Sequence, residues 1–223
     1  MLLKEKIYFI AAIGTDIGKT FFVEKICQIL RQKKLLVSAI KPIACGFGDD
    51  DQNSDSAKIL TVLGLEISKN NLDKISPWRF EQATSPHFAA KNSAKEISFE
   101  EVINFCREKI SVAKKENQFL FIEAAGGVMT PINDEKNFLD LAAELRVPVL
   151  LLSANYLGAI SHTLCAVEAL KKHQISPEKI IINEYFLSEK KSSSVDISQV
   201  ITTIQNFTKI ETILLRDFLD KLS

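Results

Sequence analysis

The sequence predicts an α/β protein, with a mostly parallel β-sheet flanked by helices on both faces. Short, nearly continuous apolar runs alternate with longer stretches of helical periodicity, as in βαβ units. Apolar runs without polar alternation are typical of central parallel strands, which are buried on both faces. The unusual glycine, proline and charged residues follow these runs directly. They are therefore expected at the carboxyl edge of the sheet, where such folds bind ligands.

Five strands and five helices are predicted in alternation. Each strand is an apolar run, and several helices end with a lysine or arginine, which suits the helix dipole. The predicted strands are Ile7–Ala12, Leu36–Ile40, Phe119–Ile122, Val147–Leu152 and Lys179–Ile182. The predicted helices are Phe21–Arg31, Ser54–Leu63, Phe99–Lys114, Asn137–Leu145 and Ala159–His173.

Two segments lack a clear period. Glu66–Lys95, which contains SPWRF and TSPHF, predicts a loop excursion with short helices. Ser188–Ser194 predicts a surface loop. Neither is long enough for a domain linker, and 223 residues suit one large α/β domain. We therefore expect a single domain over residues 1–223.

Charge and cysteine content exclude several classes of protein. The 28 Lys and Arg balance the 28 Asp and Glu, so no overall field attracts the chain to nucleic acid or an anionic membrane. No apolar run reaches the ~18 residues that cross a bilayer. The four cysteines are widely spaced without a C-x-x-C pair, which fits neither a zinc site nor a disulfide framework. We expect a cytoplasmic protein that binds small molecules or other protein chains.

The segment Gly14–Thr20, GTDIGKT, follows the first predicted strand and opens the first predicted helix. This context favours a phosphate-binding loop (P-loop), in which N–H groups at a helix N-terminus hold a phosphate chain. Lys19 would reach the outer phosphates and Thr20 a magnesium ion. Ile13 departs from the usual G-x-x-x-x-G-K-[ST] pattern, which has glycine there. The alternative, a glycine turn with a chance GKT, is disfavoured by the strand and helix around it.

Three further charged residues are expected near the same edge. Glu123 ends a predicted strand before two alanines and two glycines, and Asp55 opens a predicted helix. Both offer the hard oxygen atoms that magnesium binds, although Asp55 could equally be a helix N-terminal charge. Lys41 ends another strand, and Pro42 stiffens the loop after it. Lys41 and Lys19 together would indicate a highly charged anionic ligand, and a surface lysine is the alternative.

These residues lie in segments that together resemble the dethiobiotin synthetase family. The segments are GTDIGKT, KPIACG, NSDSAKIL, TSPHFAA, IEAAGGVMTPI and VPVLLLSANYLGAISHTL. Any P-loop enzyme could carry the first, but the others in this order are specific. The resemblance runs from about Ile7 to Asn183, and the last forty residues match poorly. Aligned from its GKT end, the loop has Ala12 where the family has its first glycine.

The resemblance implies an ATP-dependent ligase that forms C–N bonds in biotin synthesis. One amine of 7,8-diaminopelargonate takes up CO₂ to form a carbamate, and the carbamate oxygen attacks the γ-phosphorus of Mg-ATP. The second amine attacks the resulting carbamic-phosphoric anhydride, which expels phosphate and closes the ring of dethiobiotin. Such phosphoryl transfer depends on positioning and charge neutralisation.

The same resemblance implies the residues of the site, each at a position that matches a family motif. The catalytic residues are Lys41, Lys19 and Thr15, and the magnesium ligands are Thr20, Asp55 and Glu123. The nucleotide contacts are Asp16, Ile17, Gly18, Lys19, Thr20, Phe21, Asp55, Glu123, Ala124, Ala125, Gly126 and Asn183. The diamine contacts are Thr15, Lys41, Cys45, Gly126, Gly127, Val128, Leu157, Gly158, Ile160 and Ser161.

Four features of the chain depart from the family. Cys45 stands where serine is common, and Ser161 where asparagine is common. Asn183, the expected base-recognising residue, precedes Glu184 rather than aspartate. The C-terminal region that contacts the base in the family is shortened here, which predicts weak nucleotide affinity and loose base selectivity.

The family also works as a homodimer, in which the loop Asn155–Ser161 of one subunit reaches the diamine of the other.

A regulatory P-loop ATPase of the partitioning or assembly type is the alternative reading. Such proteins share the fold and the dimer, but they use ATP hydrolysis as a switch. They usually carry a second lysine early in the phosphate loop, where this chain has Ile13, Gly14 and Thr15. They often end in a membrane-binding helix, and LLRDFLDKL is short and of mixed charge. The sequence therefore favours the ligase.

Overall fold

A six-stranded parallel sheet forms the centre of the computed structural model, which describes residues 2–47, 51–185 and 196–223. The predicted Ser188–Ser194 loop lies outside the described residues. In chain order the strands are β1 Ile7–Ala12, β2 Val37–Ile40, β3 Ile43–Cys45, β4 Trp78–Phe80, β5 Phe119–Glu123, β6 Val149–Ala154, β7 Lys179–Asn183 and β8 Thr212–Leu214. The order across the main sheet is β2-β5-β1-β6-β7-β8, and β3 and β4 form a separate parallel pair.

Helices connect the strands, as parallel pairing requires. They are α1 Lys19–Gln32, α2 Asp55–Leu63, α3 Lys69–Ile75, α4 Pro86–Asn92, α5 Phe99–Lys115, α6 Phe138–Leu145, α7 Ala159–Lys172, α8 Ile197–Thr208 and α9 Leu215–Leu222. A short 3₁₀ turn spans Asp51–Asn53. The predicted fold class, a mostly parallel sheet flanked by helices, is confirmed. None of the helices that the structure describes is long and apolar enough to cross a membrane.

The five predicted strands are all present, and their bounds shift by no more than two residues. Three strands were not predicted: β3, β4 and β8 have three residues each. Runs of that length are too short for a periodic signal. The predicted excursion Glu66–Lys95 contains α3, β4 and α4, and helices α8 and α9 follow the last predicted strand.

Side-chain caps explain where several helices begin. Ser54 accepts a hydrogen bond from the N–H of Ala57 and starts α2, so Asp55 falls in the first helical turn. Asn137 and Asp140 form a capping box at α6. Gly64, with φ of 71°, ends α2 in the left-handed conformation that glycine adopts without strain.

The strand that precedes the phosphate loop lies in the interior of the sheet. All six residues of β1 are buried, and β1 pairs with β5 on one side and β6 on the other. Because every pair in the sheet is parallel, the carboxyl ends of β1, β2, β5, β6 and β7 meet at one edge. The loops after these strands therefore converge, as predicted.

Candidate active site

The phosphate loop joins β1 to α1 across the carboxyl edge of the sheet. Ala12 ends β1 in extended backbone, so an alanine here carries no strain. The loop then turns at Asp16 and Gly18, whose φ angles are 57° and 96°. A Cβ atom on Gly18 would lie 2.3 Å from the Nδ2 atom of Asn183. Both the backbone angle and this close approach require glycine.

Lys19, the first residue of α1, is buried against the loop. Its Nζ atom donates hydrogen bonds to the carbonyl oxygens of Gly14 at 3.2 Å and Gly126 at 2.6 Å. Burial lowers the pKa of Lys19 to about 8, although the attraction of Glu123 opposes this effect. The loop therefore contains an ammonium group that begins to lose its proton just above neutral pH.

Lys41 follows β2 and is a second buried cation. Its Nζ atom donates to Oε1 of Glu123 at 2.9 Å and to Oδ2 of Asp55. Burial alone would lower the pKa of Lys41, but the two carboxylates outweigh burial and raise it. Burial would likewise raise the pKa of Asp55, but the Lys41 ammonium lowers it. Lys41 and Asp55 therefore stay charged at neutral pH.

Glu123 ends β5 and is fully buried beside Lys41 and Thr20. Its Oε1 atom accepts hydrogen bonds from Lys41 and from the Thr20 hydroxyl, the latter at 2.6 Å. Within the described residues, its Oε2 atom has no hydrogen-bond partner, although solvent does not reach it. A buried carboxylate oxygen that has no hydrogen-bond partner is energetically unfavourable unless a cation binds it. Thr20, Asp55 and Glu123 together present hard oxygen atoms, which suit Mg²⁺.

The two lysines border a cavity of about 590 Å³ at the carboxyl edge. Of the predicted site residues, those that line it are Thr15, Asp16, Gly18, Lys19, Thr20, Phe21, Lys41, Cys45, Asp55, Glu123, Ala125 and Gly126. Six lining residues were not assigned by sequence reasoning: Lys58, Ala83, Thr84, Ser85, Pro86 and Thr130. Three of them belong to the quoted TSPHFAA segment, so the signal was present but had no role attached.

The thiol of Cys45 is part of this lining at the end of β3. Burial raises its pKa to about 11, and the nearby Lys41 ammonium only partly offsets that effect. The thiol is therefore protonated at neutral pH, which fits a packing or weakly polar contact rather than a nucleophile.

Asn183 contacts the phosphate loop rather than the cavity. Its Nδ2 atom donates to the carbonyl of Ile17 at 2.9 Å, and its Oδ1 atom accepts from the N–H of Tyr185 at 3.0 Å. Ile17 and Ala124, two other predicted nucleotide contacts, are buried in the core. The Asn183–Ile17 bond therefore joins the end of β7 to the phosphate loop within the protein.

The remaining predicted diamine contacts lie outside the lining of this cavity. Gly127 and Val128 pack on the phosphate loop, where the Val128 N–H donates to Ala12 O at 2.9 Å. A Cβ atom on Gly127 would come within 3.3 Å of Gly14 Cα, so glycine permits this packing. The others are in the loop between β6 and α7 and in the first turn of α7: Leu157, Gly158, Ile160 and Ser161.

A parallel sheet with this loop between its first strand and first helix defines a P-loop nucleotide-binding protein. A family model described as an AAA domain matches residues 6–216. The ATP-dependent dethiobiotin synthetase BioD of Methylobacterium nodulans is 34% identical over 180 residues, which cover 79% of this chain and 80% of that protein. The enzyme of the same name from Caulobacter vibrioides is 33% identical over 210 residues, 94% and 91% of the two chains. The chain belongs to the ATP-dependent dethiobiotin synthetase family.

Solved structures of other P-loop proteins share the fold. A ParA family ATPase from Chlorobium tepidum has a TM-score of 0.53 at 10% identity, covering 97% of this chain and 89% of its own. The MinD cell division protein of Aquifex aeolicus has a TM-score of 0.53 at 15% identity, covering 98% and 88%. At such low identity, these similarities concern architecture alone.

Proposed function

We propose that this protein is a ligase that converts 7,8-diaminopelargonate, CO₂ and ATP into dethiobiotin, ADP and phosphate. The observation that carries the proposal is the convergence of Lys19, Lys41, Asp55, Glu123 and Thr20 on one cavity. Two cations and two carboxylates in one site suit a reaction that brings a carbamate against a triphosphate. The family membership supports the same reaction.

The triphosphate would lie in the phosphate loop, with Lys19 on its outer phosphates. The carbonyls of Gly14 and Gly126 hold the Lys19 ammonium at the mouth of the loop. A phosphate oxygen would be a stronger partner than these neutral acceptors, because charge-assisted hydrogen bonds are about twice as strong as neutral ones. Backbone N–H groups from Asp16 to Phe21 would hold the remaining phosphate oxygens.

Thr20, Asp55 and Glu123 would hold Mg²⁺, and the unpartnered Oε2 atom of Glu123 supports this assignment. When bound, the ion neutralises phosphate charge and polarises the phosphoryl group. The Thr20 hydroxyl, which donates to Glu123, lies at the start of α1, where the phosphates would bind. Lys41 would keep Asp55 and Glu123 oriented and ionised.

Lys41 and Thr15 would act on the diamine side of the cavity. The raised pKa of Lys41 keeps its ammonium charged, so it can hold the carbamate oxygens in line with the γ-phosphorus. Its charge would also stabilise the negative charge that develops in the transition state. The attacking amines are themselves basic, so the proposal requires no side-chain base. Cys45 and Gly126, which line the cavity, would shape the pocket around the diamine, and Gly127 and Val128 would support it by packing on the phosphate loop.

We also propose that the protein acts as a homodimer in the cytoplasm, as one domain spanning residues 1–223. Leu157 is 77% exposed and lies in the loop before α7, two residues before the helix begins. This loop would reach the partner's cavity, where Gly158, Ile160, Ser161 and the N-terminus of α7 would receive the substrate carboxylate. In light scattering we expect a dimer for the native chain and a monomer with reduced turnover for Leu157→Asp. The control Leu36→Asp changes another exposed leucine and should stay dimeric; an unchanged Leu157→Asp dimer would contradict the proposed interface.

The reaction is tested directly by product formation. The protein is incubated with 7,8-diaminopelargonate, bicarbonate and Mg-ATP, and dethiobiotin is detected by mass spectrometry. Omitting bicarbonate or ATP should abolish the product. ATP hydrolysis by a folded protein that forms no dethiobiotin would overturn the proposal and favour the regulatory ATPase.

A further inference from the structure

Two buried serines connect the main chain of Lys41 to helix α2. Ser56 and Ser76 have no exposed surface, and their Oγ atoms lie 2.7 Å apart. The Ser76 hydroxyl donates to the carbonyl oxygen of Lys41 at 2.5 Å. A carbonyl can only accept, so the Ser76 proton is committed to Lys41 and the Ser56 hydroxyl must donate to Ser76. The direction of this hydroxyl chain is therefore fixed.

The two hydroxyl groups belong to a set of contacts that holds both the main chain and the side chain of Lys41. At one end, the Lys41 N–H donates to Ile75 O at 3.0 Å, and its carbonyl accepts from Ser76, so residues 75 and 76 fix the main chain on both sides. At the other end, the Lys41 ammonium binds Asp55, the residue directly before Ser56. The first turn of α2 thus contacts the Lys41 side chain through Asp55 and reaches its main chain through Ser56 and then Ser76.

Neither serine is among the residues that line the cavity, and neither touches solvent. Any effect on the reaction must therefore pass through Lys41 or Asp55. A lysine side chain has four rotatable bonds, so the place of its ammonium depends on both its anchored main chain and its ionic partners. An error of about 1 Å in such a group can reduce catalysis by about a hundredfold.

We propose that Ser56 and Ser76 are positioning residues that set the location of the Lys41 ammonium between Asp55 and Glu123. The inference rests on the proposed function, in which Lys41 holds the carbamate. It also assigns a role to part of the Glu66–Lys95 excursion, because this segment supplies Ser76, for which the sequence alone predicted no function. The simpler alternative, that the two hydroxyls serve only folding, predicts a loss of stability without a specific loss of turnover.

The test compares Ser76→Ala, Ser56→Ala and the double variant with Ser38→Ala. Ser38 is a matched control, because it lies on β2 three residues before Lys41 and its hydroxyl donates to the main-chain carbonyl of Phe119 at 3.3 Å. For Ser76→Ala we expect kcat to fall by about 10–100-fold with the KM for ATP within about twofold. Ser56→Ala should lower kcat less, and the double variant should match Ser76→Ala, because the chain passes through Ser76.

A second readout does not depend on turnover. Lys41 is acetylated by an amine-reactive reagent, and its rate is compared with that of exposed Lys33 by mass spectrometry. We expect Ser76→Ala to accelerate Lys41 acetylation several-fold and Ser38→Ala to leave it unchanged. If the native protein forms no dethiobiotin, the proposed function fails, and this measurement still tests the serines.

The inference is overturned if folded Ser76→Ala matches Ser38→Ala in both kcat and Lys41 acetylation. If Ser76→Ala does not fold, kcat and Lys41 acetylation are compared between Ser56→Ala and Ser38→Ala instead. Ser56→Ala is expected to fold, because alanine is favourable within a helix and the hydrogen bond from Ser76 to Lys41 O stays in place. Ser76→Thr retains a hydroxyl and should restore kcat relative to Ser76→Ala. Equal loss in Ser76→Thr and Ser76→Ala at equal stability also counts against the inference.

Discussion

Lys19 and Lys41 are two buried ammonium groups in one cavity, and their surroundings shift their pKa values in opposite directions. Lys19 has neutral carbonyl partners, so burial dominates and its pKa falls to about 8. Lys41 has two carboxylates within reach, so its pKa rises. Between pH ~8 and ~10.4, the Lys19 contribution to the free energy of unfolding therefore increases with pH, since the unfolded chain binds more protons. The Lys41 contribution is fully present below pH ~10.4 and is lost as pH rises through its folded-state pKa.

The low pKa of Lys19 predicts that ATP binding weakens in alkaline solution. Above pH ~8 the free protein loses the Lys19 proton, and binding of the phosphates must recover it. We expect the Kd for Mg-ATP to rise by up to about tenfold per pH unit between pH 8 and 9.5, measured by isothermal titration calorimetry. Lys19→Met should bind more weakly with a flat profile. An equally steep profile in Lys19→Met would assign the effect to another group.

Lys41→Gln is expected to lower turnover strongly while the protein still folds. The substitution removes the cation that we propose holds the carbamate, and it leaves the buried Glu123 without its cationic partner. We expect kcat to fall by about 10²–10³-fold and the free energy of unfolding by about 3 kcal/mol. Steady-state kinetics and urea unfolding measure the two effects. Lys33→Gln, at an exposed lysine just beyond α1, should change neither, and near-native turnover in Lys41→Gln would remove its assigned role.

At the scale of elements, Glu184 links β7 to the last helix. Its two carboxylate oxygens accept hydrogen bonds from the N–H groups of Leu215 and Arg216, each at 3.1 Å. Leu214, the residue before α9, is apolar and cannot cap the helix itself. Phe218 of α9 then packs on Phe22 of α1 with ring centroids 5.5 Å apart. Glu184 thus fixes the helix that supports the back of the phosphate-loop helix.

Glu184→Ala is therefore expected to destabilise the protein by about 1–2 kcal/mol, the usual cost of losing a helix cap. Urea unfolding measures the change, and Glu66→Ala, at an exposed glutamate, provides the control. Both variants should form dethiobiotin at near-native kcat, because neither carboxylate reaches the cavity. No loss of stability in Glu184→Ala would mean that solvent replaces the cap without penalty.

The sequence predicted the parts of the site that depend on local pattern. Lys19 and Thr20 follow from one loop motif, and the meeting of Lys41 with Glu123 follows from parallel strands that end at one edge. The contacts of Asn183 with Ile17 and of Glu184 with α9 join segments that are far apart in the chain, and no periodicity encodes them. The same holds for Ser85 and Pro86, which reach the cavity from an excursion without a regular period. The sequence pattern specifies the strands, whereas these contacts depend on how the folded chain brings distant segments together.

At the scale of the whole molecule, the edge of the sheet that β8 forms is short. Leu214 ends β8 and Leu215 begins α9, so strand and helix join without an intervening loop. By the family resemblance, the C-terminal region at this edge of the sheet is the one expected to contact the base. Asn183 already uses one N–H and one oxygen lone pair within the protein. Both observations support the expectation of loose base selectivity.

Base selectivity is tested by comparing kcat/KM for ATP, GTP and CTP. We expect the three values to lie within about tenfold, since a base with few hydrogen-bonding partners is discriminated by little more than about 1.4 kcal/mol. Thermal shift with each nucleotide gives an independent measure of binding. A preference for ATP above a hundredfold would show that other residues read the base.

The order of the strands has a consequence for how the protein fails on heating. β1, which leads into the phosphate loop, is covered by strands on both sides, whereas β2, which leads into Lys41, is a four-residue edge strand paired only with β5 in the part of the sheet that the structure describes. Edge elements open locally before central ones. On gentle heating, some molecules would thus keep the phosphate loop folded while the Lys41 segment is displaced, and by the proposed function these molecules would bind a triphosphate without transferring its phosphate. On heating, the protein would therefore lose turnover before it lost nucleotide binding, and both before it unfolded as a whole.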